Sequence, residues 1–374
     1  MAGECFWWNN PMSPKLKVAQ VGVGNFGAYR RGIMRQTGLF ELVSAYDINP
    51  DALSQCVQEE GAERKNSYCE LLDTPDIEAV IVSTGAKFHA RQVLAAAERG
   101  LHVFVEKPLC STPAEVSGLL EVQRRTGCII GVGHDDHRHD AVPLRIKEIL
   151  EANELGTIAT FELTTSHNGG LQIQPGEWRG DPARNPGGML FQCGVHSLHE
   201  LMFYFGPIVE VSAMMRYDIH TTQTADVALC HLKFASGLIG SLNAYHVTPY
   251  RHTFNILGTK ANLYRDERFF DEGTTLQIQR TGKVGSKEPK ETVAVDERLT
   301  DDCGAMRSFF HAVRQGGSCY PSLMDGALAV SVVFAAEESA RTGQPVTVPD
   351  LSLFGLSHTQ SSHGGTRTEG DSLL

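Results

Sequence analysis

The sequence predicts an α/β protein: an N-terminal doubly wound parallel sheet, then a C-terminal α+β domain on an open, mainly antiparallel sheet. Three observations carry this. Apolar strands alternate with helices over the first 140 residues, a glycine-rich turn links the first strand to the first helix, and after about residue 156 strands follow one another with few helices between. At 374 residues the chain is too long for one ordinary core.

The elements follow in order. "KLKVAQVGVG" is a buried strand and "NFGAYRRGIMRQ" a helix. "ELVSAYD" is a strand, and "DALSQCVQEEG" a helix opened by Asn49-Pro50. "IEAVIVST", "HARQVLAAAERG" and "HVFVEKP" continue the alternation. Thr112, Pro113 and Glu115 open the next helix as a capping box, and "CIIGVGH" is a further strand. Continuously apolar strands alternating with helices mean a parallel sheet covered on both faces. Further on, "TIATFELTTSH", "IVEVSAMMRYD", "DVALCHLKF", "LIGSLNAYHV", "HTFNILG" and "TLQIQR" are strands, several joined by short turns. Two helices come last. The predicted divisions are a tail over 1–14, a dinucleotide-binding domain over 15–140, a substrate-binding and oligomerisation domain over 141–350, and a disordered Gly/Ser/Thr-rich tail over 351–374.

A net charge of −11 with no basic patch argues against a nucleic-acid partner. No segment is long and apolar enough to span a bilayer, so no membrane partner is expected. The first residues lack a basic stretch followed by an apolar one, so no secretory signal is expected. Nine cysteines are scattered singly without a CxxC, which predicts thiols in a reducing, cytoplasmic setting.

Gly22, Gly24 and Gly27 stand in G-x-G-x-x-G spacing between a strand and a helix, the context of a Rossmann dinucleotide site. Gly22 makes the turn, Gly24 admits the pyrophosphate, and Gly27 lets helix and strand pack. Asn25 and Phe26 open the helix, whose free N–H groups suit phosphate. Asp47, 20 residues after Gly27, ends the next strand, where a carboxylate accepts from the adenosine ribose hydroxyls and repels a 2′-phosphate. NAD is therefore expected over NADP. Thr84 ends a neighbouring strand on the same side. "LHVFVEKPL" then delivers Glu106, Lys107 and Pro108 to a strand tip facing the cofactor cleft. An ammonium there can hydrogen-bond a carbonyl or alcohol oxygen beside the nicotinamide.

The glycine loop, "IEAVIVSTGAKFHARQVLAAAERGLHVFVEKPL" and an antiparallel second domain together resemble the Gfo/Idh/MocA oxidoreductases, over roughly residues 15–348. Trp178-Arg179, Gly187-Gly188, "CGVHSLHELMFYFG", "HTFNILGTKANL" and "SARTGQPVTV" also fit. The resemblance implies that Lys107 is catalytic, that His196 is the acid–base residue, that Glu106 lies on the cofactor side, and that His89 lies near the nicotinamide. The chain departs from the family's D-x-G-x-H-x-x-D pattern, reading Gln192-x-Gly194-x-His196-x-x-His199, and Gly85-Ala86 replaces a Pro-Asn turn. Both acids are gone, which alters the proton path and keeps a non-standard substrate open.

Gln192, His196 and His199, spaced four and three apart, share one helical face if the helix begins early enough. In "GHDDHRHD" the residues His134, Asp136, His137 and His139 are metal-ligand types, but their spacing fits no closed structural site. The segment reads as a polar linker without a metal, and the resemblance implies that it borders substrate and links the domains, with His134 and Arg138 on the substrate side. Trp178 suits the C–H face of a sugar and Arg179 suits hydroxyl or carboxylate groups. The resulting expectation is an NAD-dependent dehydrogenase acting on a secondary alcohol of a sugar, inositol or glycoside, assembled as a homodimer or homotetramer. Two alternatives stand beside it. One is a nucleotide-binding sensor without turnover, and the other is a redox-neutral enzyme that oxidises its substrate transiently.

Overall fold

The computed structural model describes residues 14–267 and 273–354. The predicted tails fall outside the described residues except for Pro14 and residues 351–354. Leu351 is buried, and Ser352–Phe354 form a short 3-10 turn rather than a disordered end.

The first sheet has six parallel strands: β1 (Leu16–Val21), β2 (Phe40–Tyr46), β3 (Glu63–Arg64), β4 (Ala79–Val82), β5 (His102–Val105) and β6 (Ile130–Val132). Their order is β3-β2-β1-β4-β5-β6, the doubly wound arrangement whose strand order reverses at β1 and β4. The helices between them are α1 (Asn25–Thr37), α2 (Pro50–Glu60), α3 (Tyr68–Leu72), α4 (Ala86–Ala97) and α5 (Pro113–Thr126). Local chemistry sets their ends. The Asn49 side chain accepts from the backbone N–H groups of Asp51 and Ala52 at the start of α2, and the Thr112–Glu115 capping box opens α5 as expected.

Residues 141–151, for which no element is predicted, form α6 (Ala141–Glu151) behind an Asp140 N-cap. Then come β7 (Ile158–Ser166), a π-turn at Leu190–Gly194 running into α7 (Val195–Phe205), and β8 (Ile208–Arg216). β9 (Val227–Phe234), β10 (Ile239–Tyr245), β11 (Arg251–Gly258), β12 (Ala261–Glu267), β13 (Thr274–Arg280) and β14 (Lys290–Thr292) follow. The chain closes with α8 (Gly304–Gln315), α9 (Leu323–Thr342) and β15 (Val346–Thr347). The nine strands are ordered β14-β13-β12-β11-β7-β10-β9-β8-β15. All neighbours are antiparallel except β7 and β10, so the sheet is mainly antiparallel, as expected.

Along β9 every second residue is buried, and its last, Phe234, meets Phe205 of α7 edge-to-face at 5.7 Å. α9 packs on β8 and also reaches β6, joining the two sheets in one core. α8 returns to the first sheet: Met306, Phe309 and Phe310 pack with Leu16, Val18 and Phe104, and the Phe104 and Phe309 rings meet edge-to-face at 5.6 Å. Among the described residues no helix is long and apolar enough to cross a membrane.

Candidate active site

A groove of about 530 Å³ opens at the carboxyl ends of β1, β2 and β4, bordered by Gly22, Gly24, Asn25, Phe26, Asp47 and Thr84. Gly22 sits at φ +81, and a Cβ there would lie 2.6 Å from the Ser83 backbone. At Gly27 a Cβ would lie 2.2 Å from the Gly22 carbonyl oxygen. Nothing lies within 4 Å of a Cβ built on Gly24, and no side chain caps α1 there, so the first N–H groups of the helix face open space. The Asp47 carboxylate is fixed on the rim by the N–H groups of Val23 (2.7 Å) and Asn49 (2.8 Å). Close packing where glycine is required, open space over a helix N-terminus and a held carboxylate fit a dinucleotide.

At the tip of β5, the Lys107 ammonium donates to the Gln192 carbonyl at 2.9 Å and lies 5.8 Å from the Phe26 ring centre. Behind it, buried Glu106 accepts from Arg30 Nε at 2.7 Å, while its second oxygen has no protein partner and the residue borders the cleft. His89 does not face the groove. It is buried beneath the tip, its Nδ1 2.8 Å from the Pro108 carbonyl oxygen and its Nε2 2.8 Å from that of Thr84. It braces the strand tip rather than bordering the cofactor space.

Two further cavities adjoin the groove, with Phe26 as the shared wall. One, of about 770 Å³, holds Lys107, Trp178, Arg179 and Gln192, brought together as expected, with the Arg179 guanidinium 4.6 Å from the Trp178 ring centre. His167, Cys193 and His246 also border it and carry no sequence motif that would have found them. The other, of about 570 Å³, places Lys107, Glu106, His134 and His196 on one wall. It also contains Asp135, whose Oδ2 is 2.8 Å from His196 Nδ1. Desolvation by the surrounding protein acts to raise the pKa of Asp135, whose side chain is still open to the cleft, but His196 and the neighbouring imidazoles outweigh it and hold the carboxyl well below its usual range.

Gln192, His196 and His199 do not share one face. α7 starts only at Val195, and Gln192 belongs to the preceding π-turn. His199 is buried, stacked at 4.9 Å between His134 and His137 and tilted on Tyr320, away from the cavities. None of the six ring nitrogens of His134, His137 and His199 has a hydrogen-bond partner. Burial pushes His134 and His199 well below the usual histidine range. Arg138 is exposed and lies 3.8 Å over the Tyr320 ring, outside the cavities, because the 133–139 loop folds it toward α9. Among the described residues no three His, Cys, Asp or Glu side chains converge to hold a metal. Deeper in the second domain, Arg265 forms a buried bidentate pair with Glu200. Despite desolvation, which acts to raise it, Arg265 holds the Glu200 carboxyl down to about 2.

Residues 16–134 match the model of the oxidoreductase family with an NAD-binding Rossmann fold, and residues 144–264 match the GFO/IDH/MocA C-terminal domain. The chain belongs to the GFO/IDH/MocA family. It is 27% identical over 348 residues to scyllo-inositol 2-dehydrogenase (NAD(+)) of Bacillus subtilis (strain 168), covering 90% of this chain and 97% of that protein. It is 25% identical to levoglucosan dehydrogenase of Pseudarthrobacter phenanthrenivorans (strain DSM 18606 / JCM 16027 / LMG 23796 / Sphe3), covering 82% of this chain and 89% of that one. Its fold is similar to a levoglucosan dehydrogenase solved in complex with NADH, with a TM-score of 0.80 at 23% identity, covering 90% of this chain and 100% of that one. The first domain of this oxidoreductase is thus an NAD-binding Rossmann fold.

Proposed function

We propose that this protein is an NAD-dependent dehydrogenase acting on a secondary alcohol of a sugar, inositol or glycoside. The observation that carries the reading is the junction at Phe26, where the dinucleotide groove meets cavities bordered by Lys107 and His196. The inositol and levoglucosan dehydrogenases similar to it support the substrate class. Bound NAD supplies a hydride acceptor. Lys107, oriented by the Gln192 carbonyl, donates to the substrate oxygen and stabilises its developing carbonyl. His196 takes the hydroxyl proton. Trp178 offers its face to the C–H side of the ring, and Arg179 and Gln192 bind hydroxyls. Asp47 supports NAD over NADP, because a fixed carboxylate repels a 2′-phosphate.

In this reading residues 15–140 bind cofactor and 141–350 bind substrate and form a homodimer or homotetramer. Exposed Met214, Leu229 and Ile239 on the nine-stranded sheet support the assembly. The eight described cysteines are free, which supports a cytoplasmic setting. The intact Lys107 tip argues against a sensor without turnover. The test is NADH formation across inositols, hexoses, sugar acids and glycosides: turnover of a polyol by wild type, lost in Lys107→Ala, is the expected result. Tight NAD binding with no turnover of any member would overturn the reading.

A further inference from the structure

We infer that Asp135 is the positioning residue of His196: its carboxylate stands against Nδ1, draws the ring proton there on a small turn of the side chain, and leaves Nε2 for the substrate. The inference rests on the dehydrogenase reading for its catalytic meaning but not for the pairing itself. Asp135 Oδ2 lies 2.8 Å from His196 Nδ1, within ion-pair distance though not aligned as a hydrogen bond, and among the described residues no other carboxylate pairs with that histidine. Gln192, earlier on the same segment, cannot take this part. Its side chain carries no charge, and its backbone carbonyl already accepts from Lys107.

Glu106, Asp136, Asp140, Asp301 and Asp302 also border this cavity, but only Asp135 comes within ion-pair distance of His196. On the side of the first sheet, Lys107 brings an ammonium to the same cavity. From the 133–139 loop, His134 meets the His196 ring edge-on at 5.5 Å with both its nitrogens unpartnered. On α7 itself, His199 is buried one turn further along with no partner of its own. Asp140, at the start of α6, borders the cavity but already accepts from Val142 N. A histidine that takes a proton beside an ammonium and neutral imidazoles needs a compensating charge, and Asp135 supplies it. Its place is fixed by the loop. Neighbouring Asp136 accepts from Arg138 N at 3.0 Å and pairs with His139 Nδ1 at 2.8 Å, closing a small turn behind Asp135. The Asp135 side chain itself is 62% exposed to the cleft, so its removal leaves no buried gap.

The test joins spectroscopy to kinetics on the full chain. Nitrogen-15 NMR of the histidine side chains, with His196 assigned by its loss in His196→Gln, reads which ring nitrogen carries the proton. Wild type is expected to carry it on Nδ1, and Asp135→Ala to move it toward Nε2. Asp135→Ala is also expected to lower kcat roughly 100-fold with KM within about twofold, and Asp135→Glu to recover most of that loss. An unchanged tautomer in Asp135→Ala overturns the inference whether or not a substrate has been found. So does a rise in KM at unchanged kcat, which would make Asp135 a substrate ligand. A tautomer shift in a protein that oxidises no polyol upholds the pairing and rejects the dehydrogenase reading instead.

Discussion

The two halves of the site are held by different forces. On the strand-tip side, buried polar groups are tied to named partners: both ring nitrogens of His89 meet carbonyl oxygens, and Glu106 meets Arg30. On the α7 side, His134, His137 and His199 pack as a stack of imidazoles whose nitrogens meet no protein partner. Hydrogen bonds fix direction, so the first half presents Lys107 in one orientation. Burial without hydrogen-bond partners favours the uncharged form of these rings. Burial holds His89 below the usual histidine range as it does His134 and His199, so the halves differ in whether their imidazoles have partners rather than in charge.

Four experiments break or sharpen this contrast. The largest effect belongs to the strand tip. Lys107→Ala should lower kcat roughly a thousandfold, about 4 kcal/mol of barrier, with the fold intact by circular dichroism. On the α7 side, Glu200→Ala leaves the Arg265 charge buried and unpaired, which should cost about 3–5 kcal/mol in denaturant unfolding. Because Glu200 is held down to about 2, its contribution is present above about pH 4.5, the ordinary glutamate range, and is lost as the pH falls through that range toward 2.

The histidines give the sharpest comparison. His89→Phe removes the single N–H that the neutral ring donates to one of two buried carbonyls, Pro108 or Thr84, and should cost about 1–3 kcal/mol even at pH 8. His199→Phe removes no hydrogen bond and should leave stability at pH 8 about unchanged. Burial lowers the His199 and His134 pKa values, so the unfolded chain takes up protons that the folded one refuses, and stability falls as pH drops below about 6.5. Thermal melts from pH 8 to 5 should show that fall flattened in His199→Phe. His89→Phe should flatten it as well, because burial also lowers His89, so equal stability of the two variants at pH 8 is the result that would erase the distinction between the halves. The smallest effect lies at the groove rim. Asp47→Ala should weaken NAD binding about tenfold, roughly 1.4 kcal/mol, and narrow its margin over NADP, read by fluorescence titration.

The strand-tip half was legible because local rules govern it. A glycine is needed where a Cβ would strike backbone, and a parallel strand must end at the cleft. Gly22, Gly27 and Lys107 follow directly. The α7 half was legible only in part. His196 and Gln192 do border the cavities beside Lys107, but the approach of Asp135 in "GHDDHRHD" to His196 could not be read, because the two lie 61 positions apart. His199 and Arg138 were misdirected because the loop that covers them is irregular and carries no periodicity. α6 went unread since its apolar positions begin at a proline-bearing turn after Asp140, and the return of α8 to the first sheet is a long-range contact that spacing cannot reveal.

The π-turn at Leu190–Gly194 carries a consequence for insertions and deletions. A regular helix advances about 100° per residue, so one residue more or fewer between Gly188 and Val195 swings the upstream backbone by that angle relative to α7. The group that Lys107 meets here is a carbonyl, which every residue type possesses. At this point the count of residues is constrained more tightly than their kind. A substitution scan across 190–194 would find Gln192 replaceable as far as that bond is concerned. Deleting a single residue would disengage the lysine and at the same time turn the Gln192 and Cys193 side chains from the cavity they border.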